Sequence, residues 1–198
     1  MKKTITPADI LSYTDYEEAR PQKRAAMIER KKKRRMMVGP YATFTFENYD
    51  TMWMQVQEML RIEKGGEDQL TDELRAYNPL IPNGKELVAT VMFEIEDAAR
   101  RAKILASLGG VENSMGFRIG GETNSEIIKG RAENDLAYTS EEGKASSVQF
   151  VHFLFNDEQI GKFRDGKTEC AITISHPQYG HSAAVPPDVR AELAGDFD

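Results

Sequence analysis

The chain has 198 residues, 40% hydrophobic and 29% charged, which is enough to bury one sizeable core as a single soluble domain. It holds no apolar run near the roughly 18 residues that cross a bilayer, and no apolar stretch follows the two N-terminal lysines, so a cytoplasmic protein with no membrane role is expected. A single cysteine, Cys170, excludes an internal disulfide framework and any paired-cysteine metal or redox motif.

The net charge of −6 is unevenly spread. Residues 1–40 hold 11 Lys and Arg against 5 Asp and Glu, net +6, so the remainder holds 15 against 27, net −12. A basic arm therefore precedes an acidic body, and it is expected to lie against that body or against a second copy.

Thr6 followed by Pro7 reads as a helix start, and Thr14 with Glu17 as a capping box, so helix is expected to resume at Asp15. Pro21 either kinks this helix or opens the next segment, 22–35, which ends in six consecutive basic residues from Arg30 to Arg35. After a turn at Val38, Gly39 and Pro40, residues 42–47 alternate apolar and polar, the pattern of a half-buried strand. The period then changes. Asn48 or Asp50 caps a helix over 50–64 whose stripe is Met52, Val56, Met59, Leu60 and Glu63, with Gly65 and Gly66 as the stop. Glu58 and Arg61 are placed to pair on its exposed side, whereas Glu63 falls on the apolar stripe and needs a partner.

A second amphipathic helix follows over 67–77. Residues 86–96 alternate as a strand whose polar face turns acidic at Glu94 and Glu96. Asp97 caps an Ala-bearing helix over 98–108, expected to pack closely on the sheet, and 111–119 reads as a strand. The polar stretch 122–145 reads as a loop or weak edge strand. Residues 147–155 are apolar on both faces, 156–163 form a short capped helix, 170–175 a strand and 186–197 a final helix. The expected fold is α+β: a mainly antiparallel sheet of about five strands (42–47, 87–95, 112–119, 147–155, 170–175) covered by helices. A basic N-terminal helical arm, 1–38, is attached to a core of 39–198.

Gly161 to Thr168 fits the formal phosphate-loop pattern, but a phosphate loop runs from strand to helix and here helix precedes strand. No nucleotide is expected. The basic run lacks interleaved aromatics in a chain of pI near 5.3, which argues against nucleic acid. Cys170 lies inside a strand and is expected to be inert.

The three histidines are the remaining chemical candidates. His152 lies in a strand, while His176 and His181 bracket the segment HPQYGH. If strands 147–155 and 170–175 were neighbours, these imidazoles and a carboxylate from Glu58, Glu63 or Glu94 would form a set suited to iron, manganese or zinc. The alternative is a hydrogen-bonded core histidine and a polar loop.

Residues 38–67 (VGP, FEN, QEM, RIEKGGE), 73–96 (ELRAYNPLIPNGKELVATVMFEIE), 144–155 (KASSVQFVHFLF) and the ending HPQYGHSAAVPPDVRAELAGDFD together resemble a bacterial family of unknown function, DUF3501. The resemblance implies a bacterial cytosolic protein, often encoded beside rubrerythrin-like and iron–sulfur proteins. On that footing the expected function is a metal-binding or redox-associated accessory of iron or peroxide metabolism. Its ligands would be His152, His176 and His181 with Glu58 or Glu63, and its partner a rubrerythrin-like or iron–sulfur protein. The alternative is a non-catalytic scaffold whose basic arm docks a partner or builds a homo-oligomer.

Overall fold

The computed structural model describes residues 2–121, 123–133 and 138–198. The first long helix, α1 (Tyr13–Lys32), begins at Ser12, whose hydroxyl accepts the Asp15 N–H, two residues ahead of the expected box. Pro21 lies inside α1 at an exposed position, where the carbonyl it deprives of a partner can turn to water. The helix stops at Lys32, and the end of the basic run opens a short strand, β1 (Arg35–Val38), instead of continuing as helix. Gly39, at φ +71°, turns the chain into β2 (Ala42–Glu47).

Asn48 ends β2 and caps α2 (Tyr49–Glu63): its side chain accepts the Thr51 N–H while the Thr51 hydroxyl accepts the Asn48 N–H. Then follow α3 (Gly66–Tyr77), β3 (Glu86–Phe93), α4 (Ala98–Ala106), β4 (Met115–Ile119), β5 (Glu126–Lys129) and β6 (Arg131–Ala132). The last elements are β7 (Val148–Leu154), α5 (Asp157–Arg164), β8 (Cys170–His176), β9 (Tyr179–Ala184) and α6 (Pro187–Leu193).

All five expected strands are present, and the described strands divide into two antiparallel sheets, β1-β2-β3-β7-β6 and β5-β4-β8-β9. Strands β7 and β8 therefore lie in different sheets and are not neighbours. The two sheets enclose one core: Phe44, Phe46, Val91 and Phe153 from the first meet Phe117, Ile172 and Ile174 from the second. The chain crosses from one sheet to the other at Gly130, where a side chain would strike Val151 at 2.6 Å. At the opposite edge the Tyr179 hydroxyl accepts the N–H groups of Tyr41 and Ala42 and donates to the Val38 carbonyl, pinning the β1–β2 turn to β9.

The second face of β2 is not solvated. All six residues of β2 are buried, because α2, α3 and the turn at Leu80 cover the outer face of the first sheet, packing Met52, Val56 and Leu80 against Val88 of β3. The basic segment is docked on its own body: Arg20 pairs with Glu58, Arg30 with Asp50, Glu17 with Arg61, and Lys23 lies over the Trp53 ring. Glu58 and Arg61 consequently pair with α1 and not with each other. The alanines of α4 are exposed, and that helix contributes Leu105 and Ile104 to the core. Among the described residues no helix is long and apolar enough to cross a membrane.

Candidate functional site

The outer face of the first sheet carries a polar floor. Its central row runs across four strands as Arg35, Thr45, Thr90 and Phe150, which are cross-strand partners. Two residues along β2 from Thr45, on the same face, is Glu47. Over this floor α1, α2 and α3 leave a cavity of about 370 Å³, lined by Lys31, Arg35, Thr45, Glu47, Thr90, Gln55 and Glu94 as its polar groups. Met52, Tyr77, Met92, Val148 and Phe150 make its apolar walls. That volume falls within the range of small-molecule clefts, with a lining more polar than most. A broader, shallow depression beside it shares Met92, Glu94 and Val148 and opens to solvent.

Of the groups lining the cavity, Glu47 is the unusual one. The residue is 4% exposed, and the Thr90 hydroxyl donates to its Oε1 at 2.6 Å, yet its Oε2 has no hydrogen-bond partner among the described residues. A buried carboxylate with a lone-pair set unspent carries a desolvation cost that a bound cation or donor would relieve. Its backbone is fixed from below, where the fully buried Arg34 guanidinium donates to the carbonyls of Phe46 at 2.9 Å and Glu47 at 3.1 Å. At the rim, Glu94 accepts the Thr43 hydroxyl and Arg35 Nη2, the latter at 2.6 Å. Those two donors hold the Glu94 carboxyl below its ordinary range against its partial burial.

The candidate ligands fall in separate places. His152 lies on β7 with Nδ1 3.1 Å from Glu86 and Nε2 3.0 Å from Glu133. Burial alone would lower its pKa, but the hydrogen bond to Glu86 and the charges of Glu86 and Glu133 outweigh it and raise it above the ordinary value. His176, at the end of β8 in the other sheet, spends both nitrogens: Nε2 donates to the Gly109 carbonyl at 3.2 Å and Nδ1 accepts the Gln178 N–H at 3.2 Å. His181 is exposed on β9, packed edge-on to Tyr179; the HPQYGH segment is a hairpin and not a loop.

Glu58 is held by Arg20 through two bonds of 2.7 and 3.0 Å and by the Tyr16 hydroxyl at 2.6 Å, which lower its pKa to about 2 despite burial. Glu63 is exposed at the last helical residue, 3.2 Å from the Gln69 amide, because the apolar stripe of α2 ends one turn earlier at Leu60. It therefore needs no buried partner. Among the described residues no group of three or more His, Cys, Asp or Glu side chains is placed to hold a metal ion.

The phosphate-loop pattern folds as the end of α5 and a turn into β8. Asp165 Oδ1 accepts the N–H groups of Lys167 and Thr168, at 2.7 and 2.9 Å, so donors that would hold a phosphate are already spent. Cys170 is buried, and burial pushes its thiol up. Glu47, Thr90, Gln55, Tyr77, Lys31 and Arg35 escaped the sequence reading, while Glu94 was among its carboxylates. The available signal was the T-x-T-x-E alternation of β2 running straight into a capped helix, which folds back over that polar face.

A crystal structure of a novel protein of unknown function from Burkholderia pseudomallei is similar along the whole length, with 36% identity and a TM-score of 0.89, covering 98% of this chain and 100% of that one. No match was found among curated proteins. The family model described as protein of unknown function (DUF3501) matches residues 4–197, and the chain belongs to that family.

Proposed function

We propose that the protein binds a small organic molecule bearing a cationic nitrogen in the cavity over the outer face of the first sheet. The observation that carries this reading is Glu47: a 4% exposed carboxylate, lining a cavity of about 370 Å³, with no partner for Oε2 among the described residues. With the Glu47 carboxylate turned out from its buried position towards the cavity, an ammonium would complete the hydrogen bonding that Thr90 begins on Oε1. Met52, Met92 and Phe150 offer adaptable apolar contact for the rest of the molecule. Thermal shift with a panel of small primary amines and amino acids tests the reading. Binding should raise the melting temperature of the parent protein by about 3–6 °C at ten times Kd and leave Glu47→Gln unmoved. A panel that shifts both proteins equally, or neither, would refute it.

A metal-binding or redox-associated accessory role in iron or peroxide metabolism has one geometric foothold, His152 with Glu86 and Glu133. The two carboxylates flank opposite ring nitrogens, an arrangement suited to holding a protonated imidazole; a shared ion would require them to converge. Elemental analysis of untagged protein, with His152→Ala as the control, separates this role from the first.

A further inference from the structure

The pocket holds two cationic and two anionic side chains, and if Glu47 receives a cationic nitrogen, as proposed above, their placement constrains the other end of the same ligand. Lys31 and Arg35 line the same cavity as Glu47 and Glu94, so its four charges cancel. Glu94 is engaged with Arg35, whereas Lys31 has no ion-pair partner among the described residues. A ligand with a positive charge alone would satisfy Glu47 and leave the half-buried Lys31 without a counter-ion. One carrying both signs satisfies both.

Position supports the same conclusion. Arg35 is the cross-strand partner of Thr45, and Glu47 lies two residues further along, which puts the Arg35 and Glu47 backbones roughly 8 Å apart by strand and residue spacing. Glu47 lies at the buried end, whereas the Arg35 side chain is 49% exposed at the rim. A ligand would therefore enter nitrogen first and keep its anionic group towards Lys31 and the free edge of the Arg35 guanidinium. Its third substituent would face Met52, Met92 and Phe150.

We infer that the ligand is a small zwitterion of the α-amino-acid class, with ammonium on Glu47, carboxylate on Lys31 and Arg35, and an apolar side chain against the two methionines and Phe150. The test uses the full chain, the set of apolar α-amino acids and, for each, the matched amine lacking the carboxylate and the matched acid lacking the ammonium. At least one amino acid should raise the melting temperature by about 3–6 °C at ten times its Kd, while its amine and its acid at the same concentration each give less than a third of that shift. Lys31→Ala should reduce the amino acid's affinity about tenfold and leave the amine's unchanged, whereas Glu47→Gln should abolish both. An amine that binds as tightly as its amino acid overturns the zwitterion and leaves the cationic-nitrogen reading standing. If every amino acid and every amine fails to shift the parent protein, both are overturned.

Discussion

Arg34 and Asp196, 162 positions apart in the chain, form an ion pair in which each side chain is only 1% exposed. The same guanidinium donates to the carbonyls of Phe46 and Glu47, so it joins the C-terminal segment to the backbone beneath the cavity. Arg34→Met leaves Asp196 buried without a cation and is expected to cost about 3–5 kcal/mol, read from urea denaturation. The double variant Arg34→Met with Asp196→Leu should recover most of that loss. A double variant no more stable than the single one would place the cost in the lost backbone contacts instead.

Glu58 sets an acid limit on the α1–α2 contact. Its pKa is about 2 in the folded protein, through Arg20 first and then Tyr16, against an ordinary 4.5. A depressed carboxylate contributes stability that is present above the unfolded value and lost as pH falls from about 4.5 towards 2. With Glu58 23% exposed, screening reduces the contribution to about 1–2 kcal/mol. Glu58→Gln should flatten the stability profile between about pH 5 and pH 2, as measured by urea midpoints.

His152 acts in the opposite sense. Its folded pKa is raised, with burial opposed and exceeded by Glu86 and Glu133. Its contribution is fully present below the unfolded value near 6.5 and disappears as pH rises through the higher folded value. Imidazole resonances followed by NMR should titrate above that of a free histidine in the parent and move down in Glu86→Gln. An unmoved titration in that variant would assign the shift to Glu133.

Gly39 should tolerate no side chain. At φ +71° a Cβ would lie 2.5 Å from the His181 ring and 2.7 Å from the Tyr179 hydroxyl, which itself holds three backbone groups of the β1–β2 turn. Gly39→Ala is expected to cost about 1–3 kcal/mol from the positive φ and the clash together. Full stability in thermal unfolding would show that the β1–β2 turn can leave Tyr179 without penalty.

If the Glu47 carboxylate is kept for a ligand, the empty protein bears its cost. Glu47→Gln retains an acceptor for Thr90 and removes the buried charge, so the unliganded variant should melt about 2–4 °C above the parent for a gain near 1 kcal/mol. A lower melting temperature would indicate that the charge serves the fold.

The local signals in the sequence carried far. The cap at Asn48, the strand-to-helix change of period and the five main strands follow from side-chain spacing alone, which acts over a few residues. Strand β1 was hidden because Arg34 and Arg35 continue a basic run that reads as helix, although Arg34 is fully buried. Strand β9 was hidden because HPQYGHSAA has little apolar content; its side chains are mostly exposed. The site was missed for a different reason. Alternation reveals that Thr43, Thr45 and Glu47 share a face, but whether that face meets water or three helices is decided by residues elsewhere in the chain. Glu63 shows the converse, a position on an apolar stripe that tertiary packing leaves in solvent.

The hold of Asp196 on Arg34 also orders events in time. The β1–β2 hairpin and α2 involve neighbouring residues and can form early, but the guanidinium under Glu47 acquires its counter-ion only when a residue synthesised 162 positions after it arrives. A nascent chain would therefore carry the cavity's carboxylate on an unanchored strand for most of its synthesis. Ligand binding would thus become a late signature of completed folding, available as a refolding probe that reports closure of the C-terminal segment separately from formation of the sheets.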